Sequence, residues 1–274
     1  MSAPEKEMSF LDHLEALRWH LIRSAIVIVV VGVVWFIFPE ILFDKIILGP
    51  LNPDFISYRA FCKFSHWSGA GDAMCISIKS VNDLQNLAVG GVFITHIWIS
   101  FIAGVIVCIP YVLWEFWRFV KPALKDKELK VARGFVFYAS SLFFTGILFS
   151  YFLVTPLSVN FLLNYHISNF IKTTPTLDNY ISFVSTMVFA IGLVFELPVL
   201  VYLLTKIGLI TPNFMRKYRK HAIVVILIVA AIITPSPDVS SQLLVAFPLY
   251  ILYELSIFVS KNVERKRKLK ASSN

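Results

Sequence analysis

Charge is scarce in this chain. Asp, Glu, Lys and Arg supply 15% of its 274 residues, where an ordinary soluble domain carries roughly 25%. That is too little polar surface to cover a water-exposed globule. With 57% of residues hydrophobic and 25 phenylalanines, the composition points to an integral membrane protein. Strict apolar–polar alternation is also missing, which excludes a β-barrel; the apolar runs are continuous, so the spans are helical. Cysteine is limited to three positions, too few for a disulfide scaffold. HExxH, GxSxG, Walker A and glycine-rich nucleotide fingerprints are all absent from the sequence, and none of the six histidines pairs with another at metal-ligand spacing on one helix. An enzyme, a metal site and a bound cofactor are therefore not expected. A cleavable signal peptide is not expected either, because the first twenty residues are polar and no small-residue cleavage site follows a short apolar core.

Six apolar runs are present, at about 21–38, 87–113, 132–155, 181–205, 222–234 and 243–259. Pro39, Pro156 and Pro235 close the first, third and fifth. Crossing the hydrocarbon core takes about 20 helical residues. The first four runs reach that length and the last two fall short; the fifth, Ala222 to Thr234, spans only about 20 Å at 1.5 Å per residue.

The net charge of +8 would raise the question of nucleic acid in a soluble protein. Here the placement of the charge is more informative. With the N-terminus inside, only Lys45, Arg59, Lys63, Lys79 and Lys172 of the 25 basic residues fall outside, which is the positive-inside bias of an N-in, C-in topology. The expected fold is an all-α membrane protein of one polytopic domain over 1–274, with six spans, the fifth and sixth short, and a cytoplasmic tail at 260–274.

The outer loops differ in character. Residues 40–86 form a long polar loop holding Cys62 and Cys75, which face an oxidising compartment and either pair or remain free thiols. Cys108 lies in the second span as packing. Residues 156–180 are half apolar and suit a surface helix.

Four stretches carry polar groups where a membrane protein has reason to place them. Glu196, in Phe195-Glu196-Leu197-Pro198, sits mid-span, where an acid costs about 2.5–3.5 kcal/mol on insertion scales and is a functional candidate by default; Pro198 can kink the helix there. In the N-terminal segment, Ser9 and Asp12 read as a helix cap with its acid, and Phe10, Leu14, Leu17 and Leu21 share one helical face. Trp114 to Glu128 alternates aromatic and charged residues, as an aromatic belt with positive-inside charge does. Thr234 to Gln242 forms a rigid outer turn containing Asp238, with Gln242 an amide at membrane depth that needs a partner.

Together, His13-Leu14-x-x-Leu17-Arg18, Trp117-x-Phe119-x-x-Pro122-Ala123-Leu124-x-x-x-Glu128, Phe195-Glu196-Leu197-Pro198 and Thr234-Pro235-x-Pro237-Asp238-x-x-Ser241-Gln242 resemble the TatC family, the core subunit of the twin-arginine protein translocase. The resemblance runs over about residues 9 to 259. It implies a bacterial inner-membrane, multi-pass receptor, concave overall, that binds the Arg-Arg signal peptides of folded cargo at the cytoplasmic face. It also implies single-span TatA- and TatB-type partners, self-association in a larger complex within the lipid bilayer, export driven by the proton-motive force, and no nucleic acid.

By that resemblance Glu128 accepts one guanidinium, with His13, Leu17, Arg18, Phe119 and Pro122 around the site. The second acid comes from the N-terminal segment. The family has Glu directly before Leu-Arg, where this chain has Ala16, so Glu15 or Asp12 takes that part. Glu196 with Pro198 meets a polar group inside the membrane, and Thr234 with Gln242 docks a partner's helix. The competing reading is a small-solute or ion transporter with Glu196 as a proton or cation site; the repeated halves common in transporters are not visible in the sequence. A cargo-free scaffold is a third reading, with no need of a membrane-depth acid.

Overall fold

A computed structural model of the chain describes residues 10–69, 71–72, 75, 84–120, 134–164, 175–234 and 239–272. The described residues are helical apart from short connections and one isolated bridge between Gln85 and Thr176. The helices are α1 (Phe10–Ile37), α2 (Ile56–Trp67), α3 (Gly91–Val120), α4 (Phe135–Phe149), α5 (Thr155–Asn164), α6 (Leu177–Val194), α7 (Leu197–Ile207), α8 (Pro212–Lys217), α9 (Arg219–Ile233) and α10 (Val239–Ser272).

Among the described residues, five helical stretches are long and apolar enough to cross a membrane: Leu14–Ile37, Gly91–Val120, Phe135–Asn164, Leu177–Ile207 and Gln242–Lys266. α9, at the fifth expected span, has 15 residues, about 22 Å of helix. The expectation of a short sixth helix needs correction. Its apolar run is short, but α10 is 34 residues long and takes in most of the expected tail, because Lys, Arg and Glu beyond Val259 are good helix formers.

The chain divides into two compact units, Met1–Pro39 with His96–Ser141, and Glu40–Thr95 with Leu142–Asn274. In the first, α1 and α3 meet backbone to backbone. A Cβ added at Gly104 would lie 2.9 Å from both the Gly32 nitrogen and the Ile28 carbonyl oxygen, and small residues are what allow such approach in lipid. The face of α1 carrying Leu14 and Leu21 is exposed, although its apolar pattern suits burial. Exposed apolar residues on a membrane-spanning helix are suited to lipid; Ser24, on the other face, is buried.

In the second unit, Val154, Met187, Ile191, Phe195, Ile226, Ala230, Val245 and Leu249 form the core. Pro156 does not end its helix as the sequence suggests. A π-helical turn at Ser150–Val154 joins α4 to α5, and the shift in register accommodates the missing N–H. The segment after α1 also departs from a plain loop: it is π-helical at Ile41–Ile47 and 3₁₀ at Gly49–Leu51. Three tyrosines hold it. Tyr151 donates its hydroxyl to the Ile46 carbonyl at 2.6 Å, Tyr180 to Ile47 at 2.9 Å and Tyr58 to Pro50 at 2.6 Å. Burial pushes the Tyr58 hydroxyl well above the usual phenol range, so it stays a donor. Tyr180→Phe removes one buried bond and leaves the Ile47 carbonyl unpaired; a loss of about 1–2 kcal/mol is expected, read as a lower unfolding midpoint in detergent. An unchanged midpoint overturns the role of the clamp. Cys62 and Cys75 are disulfide-bonded, tying the middle of α2 to the segment that follows it.

Candidate functional site

The polar groups of the first unit gather near Val120 on α3. Glu115 is an acid within this apolar helix, and its side chain is 2% exposed, so its carboxylate needs partners. Three groups compensate. His20 of α1 meets Glu115 Oε2 through Nδ1. On the other oxygen, Oε1, the Tyr111 hydroxyl donates at 3.1 Å and the Arg118 guanidinium at 3.4 Å. The Arg118 guanidinium also lies 4.8 Å from the Trp114 ring centroid, and the Phe119 ring meets His20 edge-on at 6.2 Å. Ser24, one turn beyond His20, returns its hydroxyl to the His20 carbonyl at 2.9 Å.

Of the residues expected around this site, Glu15 and Arg18 are exposed on α1, and Leu17 and Phe119 are half-buried. His13 and Asp12 lie on the α1 backbone, with side chains outside the described residues, as are Pro122 and Glu128 altogether. Glu115 and His20 are the groups that sequence reasoning missed as a pair. The available signal was an acid within an apolar helix, since a buried carboxylate needs a cation or donor from elsewhere.

In the second unit, α6 and α7 form one apolar stretch broken at Phe195 and Glu196. Pro198 has no N–H to give the Val194 carbonyl, and its ring crowds that carbonyl. The chain closes α6 with a tight Glu196 N–H to Leu193 carbonyl bond at 3.1 Å and starts α7 from the Glu196 carbonyl. The break sets Glu196 at the head of α7 with no side-chain cap bond. Both carboxylate oxygens are buried and have no hydrogen-bond partner among the described residues. A buried carboxylate of this kind calls for a partner from beyond those residues. Pro198 is buried beside it. Close packing surrounds the break: a Cβ at Gly146 would lie 2.7 Å from the Phe195 ring and 3.0 Å from the Gly192 Cα.

Thr234 and Gln242 are both engaged within the chain. Thr234 is buried and donates to the Ala230 carbonyl at 2.8 Å. Gln242 donates to the Leu227 carbonyl at 3.0 Å, joining α10 to α9. Asp238, between them in sequence, lies outside the described residues.

A family model described as TatC, Sec-independent protein translocase protein, matches residues 12–248. A Sec-independent protein translocase protein TatC from Blattabacterium sp. subsp. Periplaneta americana is 38% identical over 97% of this chain and 100% of its own length. Its counterpart from Aquifex aeolicus is 35% identical over 95% of this chain and 98% of its own. Among solved structures, a crystal structure of the twin-arginine translocase receptor TatC superposes with a TM-score of 0.69 at 34% identity, covering 92% of this chain and 99% of that one. A crystal structure of the receptor in DDM gives 0.71, over 90% and 99%.

Proposed function

The chain belongs to the TatC family of Sec-independent protein translocase proteins, and on that premise we propose how it does a translocase receptor's work. It is a multi-pass membrane protein of the bacterial type and not an enzyme. Its receptor function is to bind the Arg-Arg signal peptides of folded cargo at the cytoplasmic face. TatA- and TatB-type single-span subunits join it in the bilayer, in a complex with several copies, and export is driven by the proton-motive force. Six spans with both ends inside suit that arrangement, α9 being the short fifth. The observation that carries the reading is relatedness along nearly the whole chain at 38% identity.

Recognition of two arginines follows from their chemistry. A guanidinium is permanently charged and presents five donors in a plane, so carboxylates bind it in a fork that an ammonium does not reproduce. Glu128 supplies one carboxylate on this reading, with Leu17, Phe119 and Pro122 as the apolar surround. Glu196, at the helix break, receives a polar group of a partner or signal-peptide helix at membrane depth, and Thr234 with Gln242 docks a partner's helix.

The test of function is export of an Arg-Arg reporter in a strain lacking its own TatC. Expression of this chain together with its cognate single-span subunits restores export, and a Lys-Lys reporter stays inside. Failure to restore export with those subunits present sinks the reading. Glu196→Ala is expected to lower crosslinking to the single-span subunits roughly tenfold, the scale of one hydrogen bond to a charged group, while the protein still accumulates in the membrane. Unchanged crosslinking and export would remove the partner role of Glu196. Cation-dependent transport of a small solute, lost in the same variant, would favour the transporter reading instead.

A further inference from the structure

We infer that Glu115 is an acidic acceptor for a signal-peptide guanidinium, and that His20 is the group the guanidinium displaces. The inference rests on the recognition reading above. It addresses the gap in that reading, the acid missing at position 16.

The geometry carries it. Ala16 and His20 are four residues apart, so they lie one turn apart on one face of α1, and that face meets α3 at Glu115. A carboxylate at position 16 would stand about one helical turn from the Glu115 carboxylate. The family's acid on α1 and this chain's acid on α3 therefore address the same space from opposite helices. Ala16 puts no carboxylate there.

The partners of Glu115 are unequal. Oε1 is held by two groups of its own helix, Tyr111 and Arg118. Among the described residues Oε2 is covered by His20 alone, a side chain that keeps 17% of its surface exposed. Imidazole brings one donor to that oxygen, and a guanidinium brings two in a fork. Exchange of His20 for an incoming arginine thus replaces one hydrogen bond with two charge-assisted ones on the same oxygen. The carboxylate is never left bare, and the other oxygen keeps its two partners throughout. The Phe119 ring against His20 offers an apolar wall along which the arginine stem can lie.

The experiment uses the full-length protein in detergent, titrated into a fluorescently labelled synthetic Arg-Arg signal peptide and its Lys-Lys counterpart. Glu115→Gln and His20→Arg each weaken Arg-Arg binding about tenfold or more, the scale of one charge-assisted pair. The first removes the acceptor charge and the second fills the acceptor in advance. Lys-Lys binding changes little in either. The double variant Ala16→Glu with Glu115→Gln recovers most of the affinity, because the acid returns from the opposite helix.

Wild-type affinity in both single variants, alongside a large loss in Glu128→Gln, removes Glu115 from the site and leaves the recognition reading standing. Wild-type affinity in Glu128→Gln and Glu115→Gln together overturns the recognition reading itself. Should Glu115→Gln fail to fold, His20→Arg decides alone, since it keeps a cation on Glu115; unchanged binding there overturns the inference.

Discussion

Replacing Glu128 with alanine is expected to erase the preference of this protein for Arg-Arg over Lys-Lys peptides. A bidentate guanidinium–carboxylate pair adds charge-assisted bonds that an ammonium makes only singly. Its loss amounts to about 1.5–3 kcal/mol, roughly a ten- to hundredfold drop in affinity for the Arg-Arg peptide. The Lys-Lys peptide, already bound weakly, changes little. Co-purification of each peptide with the full-length protein reads the ratio directly. Two peptides retained equally well by the unaltered protein would falsify the recognition claim at its root. A preserved preference in the variant would move the acceptor away from Glu128.

The second large effect lies far from any charge. Gly104→Leu puts a side chain where the α1 backbone stands, with a Cβ 2.9 Å from the Gly32 nitrogen and 3.0 Å from the Gly32 Cα. Backbone cannot rotate away as a side-chain tip can, so α1 must separate from α3. A loss of about 3 kcal/mol or more is expected, at the upper end of what overpacking a tight contact costs. The same separation pulls His20 from Glu115, because both pairs join the same two helices. A lower unfolding midpoint and reduced Arg-Arg peptide binding should therefore appear together in one variant. Gly104→Ala meets the same backbone with a single methyl and gives a smaller shift in the same direction. A Leu variant that melts and binds like the parent would show that the two helices are free to part there.

These two results probe different kinds of information. The membrane class, the apolar runs and the acid at 196 are legible because each is a local property. A continuous apolar stretch crosses lipid whatever its neighbours are, and an acid inside one is conspicuous alone. The helix break at Glu196 was also legible in outline, since Pro198 acts on its own backbone.

Helix ends were less so. Pro156 marks a stop by local rules, yet the chain absorbs it in the π-helical turn at Ser150–Val154, where Val154 packs into the core. Tertiary packing there outweighs the local cost. The sixth helix was misjudged for the opposite reason: hydropathy measures where lipid ends, and a helix of Lys, Arg and Glu continues into water.

The sequence by itself determined that this protein lives in a membrane, which residues carry charge into or beside that membrane, and to which family those residues belong, because hydropathy and motif order are read one position at a time. Only the tertiary structure decided which face of α1 meets α3, that His20 caps Glu115 across 95 positions, that Gln242 spends its amide on the Leu227 carbonyl, and that both oxygens of Glu196 stand buried without a partner among the described residues. These are pairings between distant segments. In lipid, where both faces of a helix can be equally apolar, no period in the sequence says which face will find its neighbour.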